Sequence, residues 1–454
     1  MGKCRRRIGG RKLQWRKEER MYKISILFLF LFIPLLALSQ LKPNIIVVLM
    51  DDMGYTDLGC YGSGISTPNI DALAADGIKF TDFYAAANVC SPSRASLITG
   101  LYQVNNGIDR VLFPKDAGLS HQHKTIAQYL KPLGYTSGIV GKWHLGATPQ
   151  YLPLQYGFSF YYGLPYSNDM LPNKSNPDLP VYLNDKVAEV NPDQSLLTTN
   201  YAEQSVKFIN ENSTKPFFLY LAHSMPHIPL AVSDKFKGKS GKGLYADVIM
   251  EIDWSVGELV NALKKNGLYH NTIIMITSDN GPWLSFGNHA GSSKPLREGK
   301  FTTFEGGHRE PFIIYGLGKK KPVTTPASMV DIFPTIAALA KGKKPLTDGI
   351  SLLPLIKQGK TRRYNNRVIP FYVNSKLQAI RWGKYKYHVQ HQYLGLKQAA
   401  NDGKSGSMQQ LTVNEALFDI LDDQSENIAV EEPEILKKMR VMFEEVNAKG
   451  TKSQ

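Results

Sequence analysis

The segment Asn44-Ile-Ile-Val-Val-Leu-Met50 is almost wholly apolar, and two carboxylates, Asp51 and Asp52, follow it directly. An apolar run of this length is typical of a strand that is buried on both faces, as in a parallel sheet covered by helices. Three further segments repeat the pattern of an apolar strand that runs into a polar cluster: 136–140, 217–222 and 272–277. Together the four segments predict one mainly parallel sheet.

The polar residues that follow these strands are candidates for a single site. Besides the Asp51-Asp52 pair, they are Gly141-Lys-Trp-His144, His223 with His227, and Asp279-Asn-Gly281. In a doubly wound sheet the functional crevice lies outside the carboxyl ends of the strands. We therefore expect the four clusters to converge on one pocket.

Helical patterns alternate with these strands, over 69–76, 124–131, 199–211 and 245–265. Alternating strands and helices predict a doubly wound α/β fold. A further strand is expected at 311–315 and a further helix at 331–340. Residues 168–198, rich in Asn, Pro and Asp, predict a long surface loop, and residues 341–362 predict a connection.

The pattern changes from about residue 365. Short strands are expected at 368–373, 377–382 and 384–389, and an amphipathic helix at 433–448. The sequence therefore predicts a main domain over 40–362 and a smaller antiparallel α+β subdomain over 363–454.

Composition at first suggests a polyanionic partner, because the 454 residues carry a formal net charge of +15. Residues 1–20 hold nine Lys or Arg and two Glu, however, so much of this surplus lies in one short stretch. Lys23, an apolar run over 24–38 and a small-residue end predict a signal peptide over 21–39, with 1–20 as an upstream extension. The alternative is a basic tail followed by an uncleaved anchor.

Removal of residues 1–39 would leave a chain with a modest basic surplus. We therefore expect no nucleic-acid partner and no stable membrane anchor, and we expect a secreted or periplasmic protein. The three cysteines (Cys4, Cys60 and Cys90) are too few for a disulfide scaffold or a four-cysteine zinc site.

Cys90 is followed by Ser91 and Pro92, which are suited to the N-cap and the first position of a helix. Arg94 then lies one turn along that helix. The helix dipole and the guanidinium group predict an anion-binding niche. The alternative is a structural cysteine that pairs with Cys60.

Four residues offer only oxygen ligands at the ends of two strands: Asp51, Asp52, Asp279 and Asn280. Hard oxygen donors suit calcium or magnesium better than zinc. The alternative for each pair is a helix cap or a solvated loop.

Cys90-Ser-Pro-Ser-Arg94 resembles the C-x-P-S-R signature of the type I sulfatases, whose cysteine is converted after translation to formylglycine (3-oxoalanine). Other segments resemble further motifs of that family across nearly the whole mature chain: 43–55, 138–146, 226–229, 278–281 and 299–311. The last of these and segment 163–169 are closest to the arylsulfatase A branch. The resemblance implies an alkaline-phosphatase-like fold and the hydrolysis of sulfate monoesters.

The resemblance also implies roles for individual residues. Those of the catalytic set are Cys90, Arg94, Lys142, His144, His227 and Lys300, and those around a calcium ion (or magnesium) are Asp51, Asp52, Cys90, Asp279 and Asn280. In the family's scheme one hydroxyl of a hydrated aldehyde at residue 90 attacks sulfur, with Asp279 as the base. His227, helped by Lys300, protonates the leaving alcohol, and His144 takes the proton of the second hydroxyl. Arg94 and Lys142 hold the charged oxygens.

Four further residues are candidates for contacts with the substrate. The candidates are His223, Ser167, Asn168 and Asp169, and the arylsulfatase A pattern has a His at the position of Asn168. We expect a sulfated polysaccharide or oligosaccharide as substrate and a formylglycine-generating enzyme as maturation partner. The alternatives are a sulfatase for small aryl sulfates, a related phosphomonoesterase or phosphodiesterase, and a non-enzymatic binder of sulfated glycans if Cys90 is unconverted.

Overall fold

Strands and helices alternate over most of the chain, as the sequence predicts. The computed structural model describes Gly2 and residues 42–421 and 425–451. Its strands are β1 (Asn44–Met50), β2 (Ile78–Tyr84), β3 (Thr136–Gly141), β4 (Phe160–Gly163), β5 (Pro180–Leu183), β6 (Lys186–Val190), β7 (Phe217–Ala222), β8 (Thr272–Ser278), β9 (Arg309–Tyr315), β10 (Ala327–Ser328), β11 (Val368–Val373), β12 (Lys376–Trp382), β13 (Tyr385–His388), β14 (His391–Gln398), β15 (Ser407–Val413) and β16 (Ala416–Asp419).

The α-helices vary from one turn to six turns. They are α1 (Pro68–Asp76), α2 (Cys90–Thr99), α3 (Gln103–Asn106), α4 (Ile126–Leu130), α5 (Leu197–Glu211), α6 (Leu244–Lys265), α7 (Glu305–His308), α8 (Ile332–Leu339), α9 (Leu353–Gln358), α10 (Arg362–Asn365) and α11 (Pro433–Thr451). Among the described residues, no helix combines the length and the apolar character needed to cross a bilayer.

The main sheet has ten strands in the order β10-β2-β9-β8-β1-β7-β3-β4-β5-β6. Its centre is parallel, since β1 pairs in parallel with β7 and β8, and β3 with β7 and β4. Strand β9 lies antiparallel between β2 and β8. The expected doubly wound, mostly parallel α/β sheet is therefore confirmed.

Strand β1 shows why a continuous apolar run is needed here. Ile45, Val47 and Leu49 point into the core on one face of the sheet. Ile46 and Val48 point into a second core on the other face, and every residue of the strand is buried. Alternation of side chains along a strand places successive residues on opposite faces, so only an unbroken apolar run fills both cores.

The C-terminal region forms a four-stranded antiparallel sheet, β11-β12-β13-β16, and a separate hairpin, β14-β15. Side chains of this region, including Ile380, Tyr387 and Phe443, pack into the core on one face of the main sheet. The smaller antiparallel α+β part is therefore present. The domain boundary at 362/363 stays a prediction. The expected signal peptide and, apart from Gly2, the expected upstream extension lie outside the described residues.

Two expectations about connections were wrong. Residues 168–198 are not simply a loop, because β5 and β6 form a hairpin at the edge of the main sheet. The two residues between these strands include Asn184 at φ 60°, and Asn is among the residues that two-residue hairpin turns favour at positive φ. The exposed side chains of β6 hide this strand from hydropathy. The expected connection over 341–362 contains α9.

Gly141 ends β3 with φ 109°, in the region that favours glycine. A Cβ atom at this position would lie 1.8 Å from the carbonyl oxygen of Ala222 in β7. The next residue, Lys142, donates its backbone N–H to that same oxygen at 2.8 Å. A glycine is therefore required for the chain to leave the sheet as it does and to carry Lys142 to the site.

We predict that Gly141→Ala is much more destabilising than Gly134→Ala, a matched control whose φ is 84° and whose Cβ would meet nothing within 4 Å. The control should lose about 1–2 kcal/mol of unfolding free energy from backbone strain alone. Gly141→Ala adds the clash with Ala222 and should lose ~4 kcal/mol or more. Urea unfolding measures both values, and equal losses would contradict the role given to the Ala222 contact.

Candidate active site

The candidate site lies where the parallel strands end and helix α2 begins. Cys90 is the first residue of α2 and is 2% exposed. Ser91 does not cap this helix, contrary to expectation: Val89 precedes the first turn without a side-chain cap, and the Ser91 hydroxyl instead accepts a hydrogen bond from the Leu112 backbone N–H at 3.0 Å. The rigid helix still holds Cys90 and Arg94 in one buried turn.

The Cys90 thiol lies among charged groups. Its Sγ is 3.5 Å from Asp51 Oδ1 and 3.8 Å from Lys300 Nζ. Burial, with a further contribution from the Asp51 charge, raises the pKa of the thiol far above its usual range. The unmodified side chain is therefore a neutral thiol and a poor nucleophile.

Arg94 joins two of the carboxylates. Its Nε donates to Asp279 Oδ2 at 2.9 Å, and its Nη2 lies 2.9 Å from the same oxygen and 3.3 Å from Asp51 Oδ2. The remaining arm donates from Nη1 to the Lys142 carbonyl at 2.8 Å. Since Arg94 is fully buried, this fork fixes the relative positions of three segments that come from distant parts of the chain.

Two lysines complete the charge balance. Lys142 Nζ donates to Asp51 Oδ2 at 2.5 Å and to Ser167 Oγ at 2.9 Å. Lys300 Nζ donates to Asp52 Oδ2 at 2.7 Å. The site thus has three buried carboxylates and three buried cations: Asp51, Asp52 and Asp279, and Arg94, Lys142 and Lys300.

The carboxylates do not have equal affinities for protons. Burial alone would raise the pKa of Asp51, but the Lys142 and Arg94 charges lower it far below its usual range. Burial, and then the nearby Asp51 charge, raises the pKa of Asp279 to about 7 against the effect of Arg94. Such a pKa suits a group that exchanges protons near neutral pH.

Two histidines present a ring nitrogen toward the site. His144 donates from Nε2 to the Leu112 carbonyl at 2.9 Å, and its buried Nδ1 has no hydrogen-bond partner among the described residues. Burial, and then the Lys142 charge, lowers the pKa of His144 far below its usual range, so the ring is neutral and Nδ1 carries a lone pair. This nitrogen can accept a hydrogen bond from a group in the cavity.

His227 has the opposite orientation of its ring nitrogens. Its Nδ1 donates to the Ile228 carbonyl at 2.6 Å, and Nε2 lies 3.5 Å from Asp52 Oδ2. Burial, and then the Lys300 charge, lowers the pKa of His227. A second proton on this ring would sit on Nε2.

The donor set fits a hard divalent cation. Ligand atoms of Asp51, Asp52, Cys90 and His227 lie within 4.8 Å of one another. Asn280 adds a buried Oδ1 without a hydrogen-bond partner among the described residues, next to an amide nitrogen that donates to Asp52 Oδ1 at 2.7 Å. Asp279 Oδ1 accepts from the Asp52 backbone N–H at 3.2 Å. Carboxylate and amide oxygens at this density are typical of calcium and magnesium sites.

A cavity of about 310 Å³ opens over these groups. Its lining comprises Cys90, Val111, Phe113, His144, Ser167, Asp169, Met170, Asn176, His227, Trp283, Lys300 and Phe301. The structure thus brings Ser167 and Asp169 to the cavity, as we expected for substrate contacts. The roles of the individual site residues stay predictions.

Two of the expected substrate residues lie elsewhere. His223 is fully buried behind the site, where its Nε2 pairs with the Ser255 hydroxyl of α6 at 3.1 Å. Asn168 is also buried, and its side chain donates to Gln194 Oε1 at 3.0 Å. Neither residue belongs to the cavity lining that the described residues form, because each side chain points into the protein.

Sequence reasoning missed the apolar part of the lining. Trp283 lies 5.9 Å from the His227 ring and 4.8 Å from Lys300 Nζ. Its position two residues after Asp279-Asn280-Gly281 was a usable signal. No sequence signal marks Phe113, because it lies in a loop between elements and outside every motif.

Comparison with known proteins agrees with this geometry. The family model described as Sulfatase matches residues 43–343, and the model described as the C-terminal region of aryl-sulfatase matches residues 364–454. The chain belongs to the sulfatase family. It is therefore a sulfuric ester hydrolase, and the alkaline-phosphatase-like fold that we expected is confirmed.

Individual sulfatases resemble the chain over most of their length. It is 38% identical to N-acetylgalactosamine-6-sulfatase from Mus musculus, over 76% of this chain and 72% of that protein. It is 36% identical to arylsulfatase A from Homo sapiens, over 88% and 86% respectively. A solved structure, Ps i-CgsB in complex with k-i-k-neocarrahexaose, is 31% identical with a TM-score of 0.76 and covers 89% of this chain and 93% of that one.

Proposed function

We propose that this sulfatase is an exported enzyme that removes sulfate from a sulfated polysaccharide or oligosaccharide, using formylglycine made from Cys90 and a bound calcium ion. The observation that carries the proposal is the joint position of Cys90, His144, His227 and Lys300 on the wall of one cavity. The saccharide bound to Ps i-CgsB, and the sulfated sugar in the name of the mouse relative, support a carbohydrate substrate.

Conversion of Cys90 to formylglycine would replace a neutral thiol, which is a poor nucleophile. The buried thiol has a raised pKa and is protonated at neutral pH. A hydrated aldehyde at this position would supply one hydroxyl to attack sulfur and a second whose deprotonation releases sulfate. Asp279, whose Oδ2 accepts a hydrogen bond from Arg94 Nε at 2.9 Å, would take a proton during the attack.

The histidines divide the remaining proton transfers. His227 can carry a proton on Nε2 while Nδ1 stays bonded to the Ile228 carbonyl, so it is oriented to protonate the leaving oxygen. His144 holds its proton on Nε2 at the Leu112 carbonyl, so its free Nδ1 is suited to act as the base in sulfate release. Lys142 and Lys300 neutralise charge on the sulfate oxygens in the transition state.

The proposed cation would be held by Asp51, Asp52, Asp279, Asn280 and residue 90. It would supply positive charge that polarises the sulfate group and activates the nucleophile. Arg94, Lys142 and Lys300 lie among the carboxylates of Asp51, Asp52 and Asp279, so a divalent ion would add positive charge that favours binding of an anionic ester. Magnesium is the alternative.

Conversion of Cys90 can be tested by mass and by activity. Intact-protein mass spectrometry should find a mass about 18 Da below that of the cysteine form, because formylglycine replaces the thiol. The converted protein should release sulfate from sulfated galactosamine or neocarrahexaose substrates, and Cys90→Ala should lower release by at least ~10³-fold. Appreciable turnover by Cys90→Ala would refute the mechanism, and release from small aryl sulfates alone would favour an arylsulfatase.

The same mass spectrum tests export. Protein recovered outside the cytoplasm should begin at or near Gln40, since residues 1–39 would have been removed. An intact N-terminus on exported protein would contradict the signal-peptide interpretation.

Metal removal tests the proposed cation site. Chelation with EDTA should abolish sulfate release, and calcium should restore it. Calcium should also raise the melting temperature of the chelated protein, because binding to the folded state stabilises it. Asn280→Ala should weaken this thermal shift, whereas Glu415→Gln, which alters a carboxylate paired with Arg440 far along the chain, should not. Full activity after exhaustive chelation would rule out the metal.

Substitution of His144 tests the roles proposed for the two histidines. His144→Ala should release the leaving alcohol in a burst of about one equivalent and then slow sulfate release by ~10²–10⁴-fold, because the base for the second step is missing. His270→Ala, a change at an exposed histidine, is the control. Rapid-quench measurement of alcohol and sulfate checks this result. Equal slowing of both products would instead assign His144 to the first step.

A further inference from the structure

Phe113 combines an exposed aromatic ring with a position on the wall of the active-site cavity. Its side chain is 55% exposed, and among the large hydrophobic side chains that are exposed in the described part of the chain it is the only aromatic one. It lines the same cavity as Cys90, His144 and Lys300. Ligand pockets are lined mainly by hydrophobic and aromatic side chains, so a ring in this position is a candidate for contact with the ligand.

The backbone on both sides of Phe113 is firmly held. The Leu112 N–H donates to the Ser91 hydroxyl at 3.0 Å, and the Leu112 carbonyl accepts from His144 Nε2 at 2.9 Å. The Phe113 N–H donates to Asp116 Oδ2 at 2.8 Å, and the Phe113 carbonyl accepts the Asp116 N–H at 3.0 Å. The backbone that carries the ring therefore loses little conformational entropy when a ligand binds.

Arg110 stabilises this turn through an ion pair with Asp116. Its Nη1 lies 2.6 Å from Asp116 Oδ2, the oxygen that also accepts the Phe113 N–H. Because Ser91 follows Cys90 directly and His144 belongs to the proposed catalytic set, the hydrogen bonds of Leu112 tie the position of the ring to the reacting centre.

We propose that Phe113 is a specificity-determining residue whose ring stacks on the apolar face of a pyranose that carries the scissile sulfate or adjoins it. This inference rests on the proposed function. A pyranose has an apolar face of C–H groups and a rim of hydroxyls. The cavity matches both, since Asp169 and Asn176 supply polar side chains on the same lining.

This arrangement separates recognition of the sugar from recognition of the sulfate. The buried cations Lys142 and Lys300 belong to the charged cluster around Cys90, whereas Phe113 forms hydrogen bonds only through its backbone and offers its ring to the cavity. Loss of the ring should therefore weaken binding of a sulfated saccharide and leave binding of inorganic sulfate unchanged.

Calorimetry in the Cys90→Ala background tests this inference without turnover. The probes are k-i-k-neocarrahexaose, 6-sulfated N-acetylgalactosamine and inorganic sulfate. Phe113→Ala should raise the saccharide Kd by about tenfold or more, as expected for removal of an aromatic contact. Phe113→Tyr should largely restore saccharide binding, and Leu346→Ala, which alters a 98% exposed side chain outside this cavity, should have no effect.

Each outcome of the calorimetry either supports or overturns the proposed role of Phe113. The proposed role of Phe113 would be overturned by unchanged saccharide affinity in Phe113→Ala, or by equal weakening of saccharide and sulfate binding. Absence of saccharide binding in the Cys90→Ala parent would overturn it as well. If saccharide binding depends on Phe113 but the protein that retains Cys90 releases no sulfate, the role of Phe113 is supported and the proposed function is refuted.

Discussion

The close approach of three buried carboxylates is the constraint on which the rest of the site depends. Asp51, Asp52 and Asp279 lie together in an interior where like charges repel strongly. Arg94 bonds to two of them, and its fork also holds the Lys142 carbonyl. A buried charge that loses its partner is costly, so each of these side chains has essentially one acceptable position.

The sheet explains how such a cluster can be assembled from distant parts of the sequence. Parallel pairing of β1 with β7 and β8 aligns the carboxyl ends of these strands at one edge. The backbone continues this alignment beyond the strands, since the Asp279 N–H donates to the Met50 carbonyl at 3.0 Å. The positive φ of Gly141 lets the chain leave β3 at the same edge of the sheet. The hydrophobic cores on both faces therefore supply the rigidity that the charged site lacks by itself.

What could be predicted from the sequence follows from the same physics. Continuous apolar strands and the polar clusters after them gave the central sheet, and Asp51, Asp279 and Lys142 do meet. The edge hairpin β5-β6 could not be found this way, because an exposed edge strand needs no apolar pattern. His223 lies one residue beyond its strand, yet its ring points toward Ser255 on α6. The direction of a side chain beyond a strand depends on tertiary packing that the sequence does not display.

Phe113 shows a second limit of motif reasoning. Motifs mark residues that handle the sulfate group, which every sulfate ester shares, whereas the leaving alcohol differs from one substrate to another. Groups that contact the alcohol must therefore lie on the wall and rim of the cavity, where loops such as 110–116 supply them. The hydrogen bond between the Leu112 carbonyl and His144 Nε2 connects this loop to the charged site. Substrate choice can thus change through a loop residue while the carboxylates, lysines and Arg94 keep their positions.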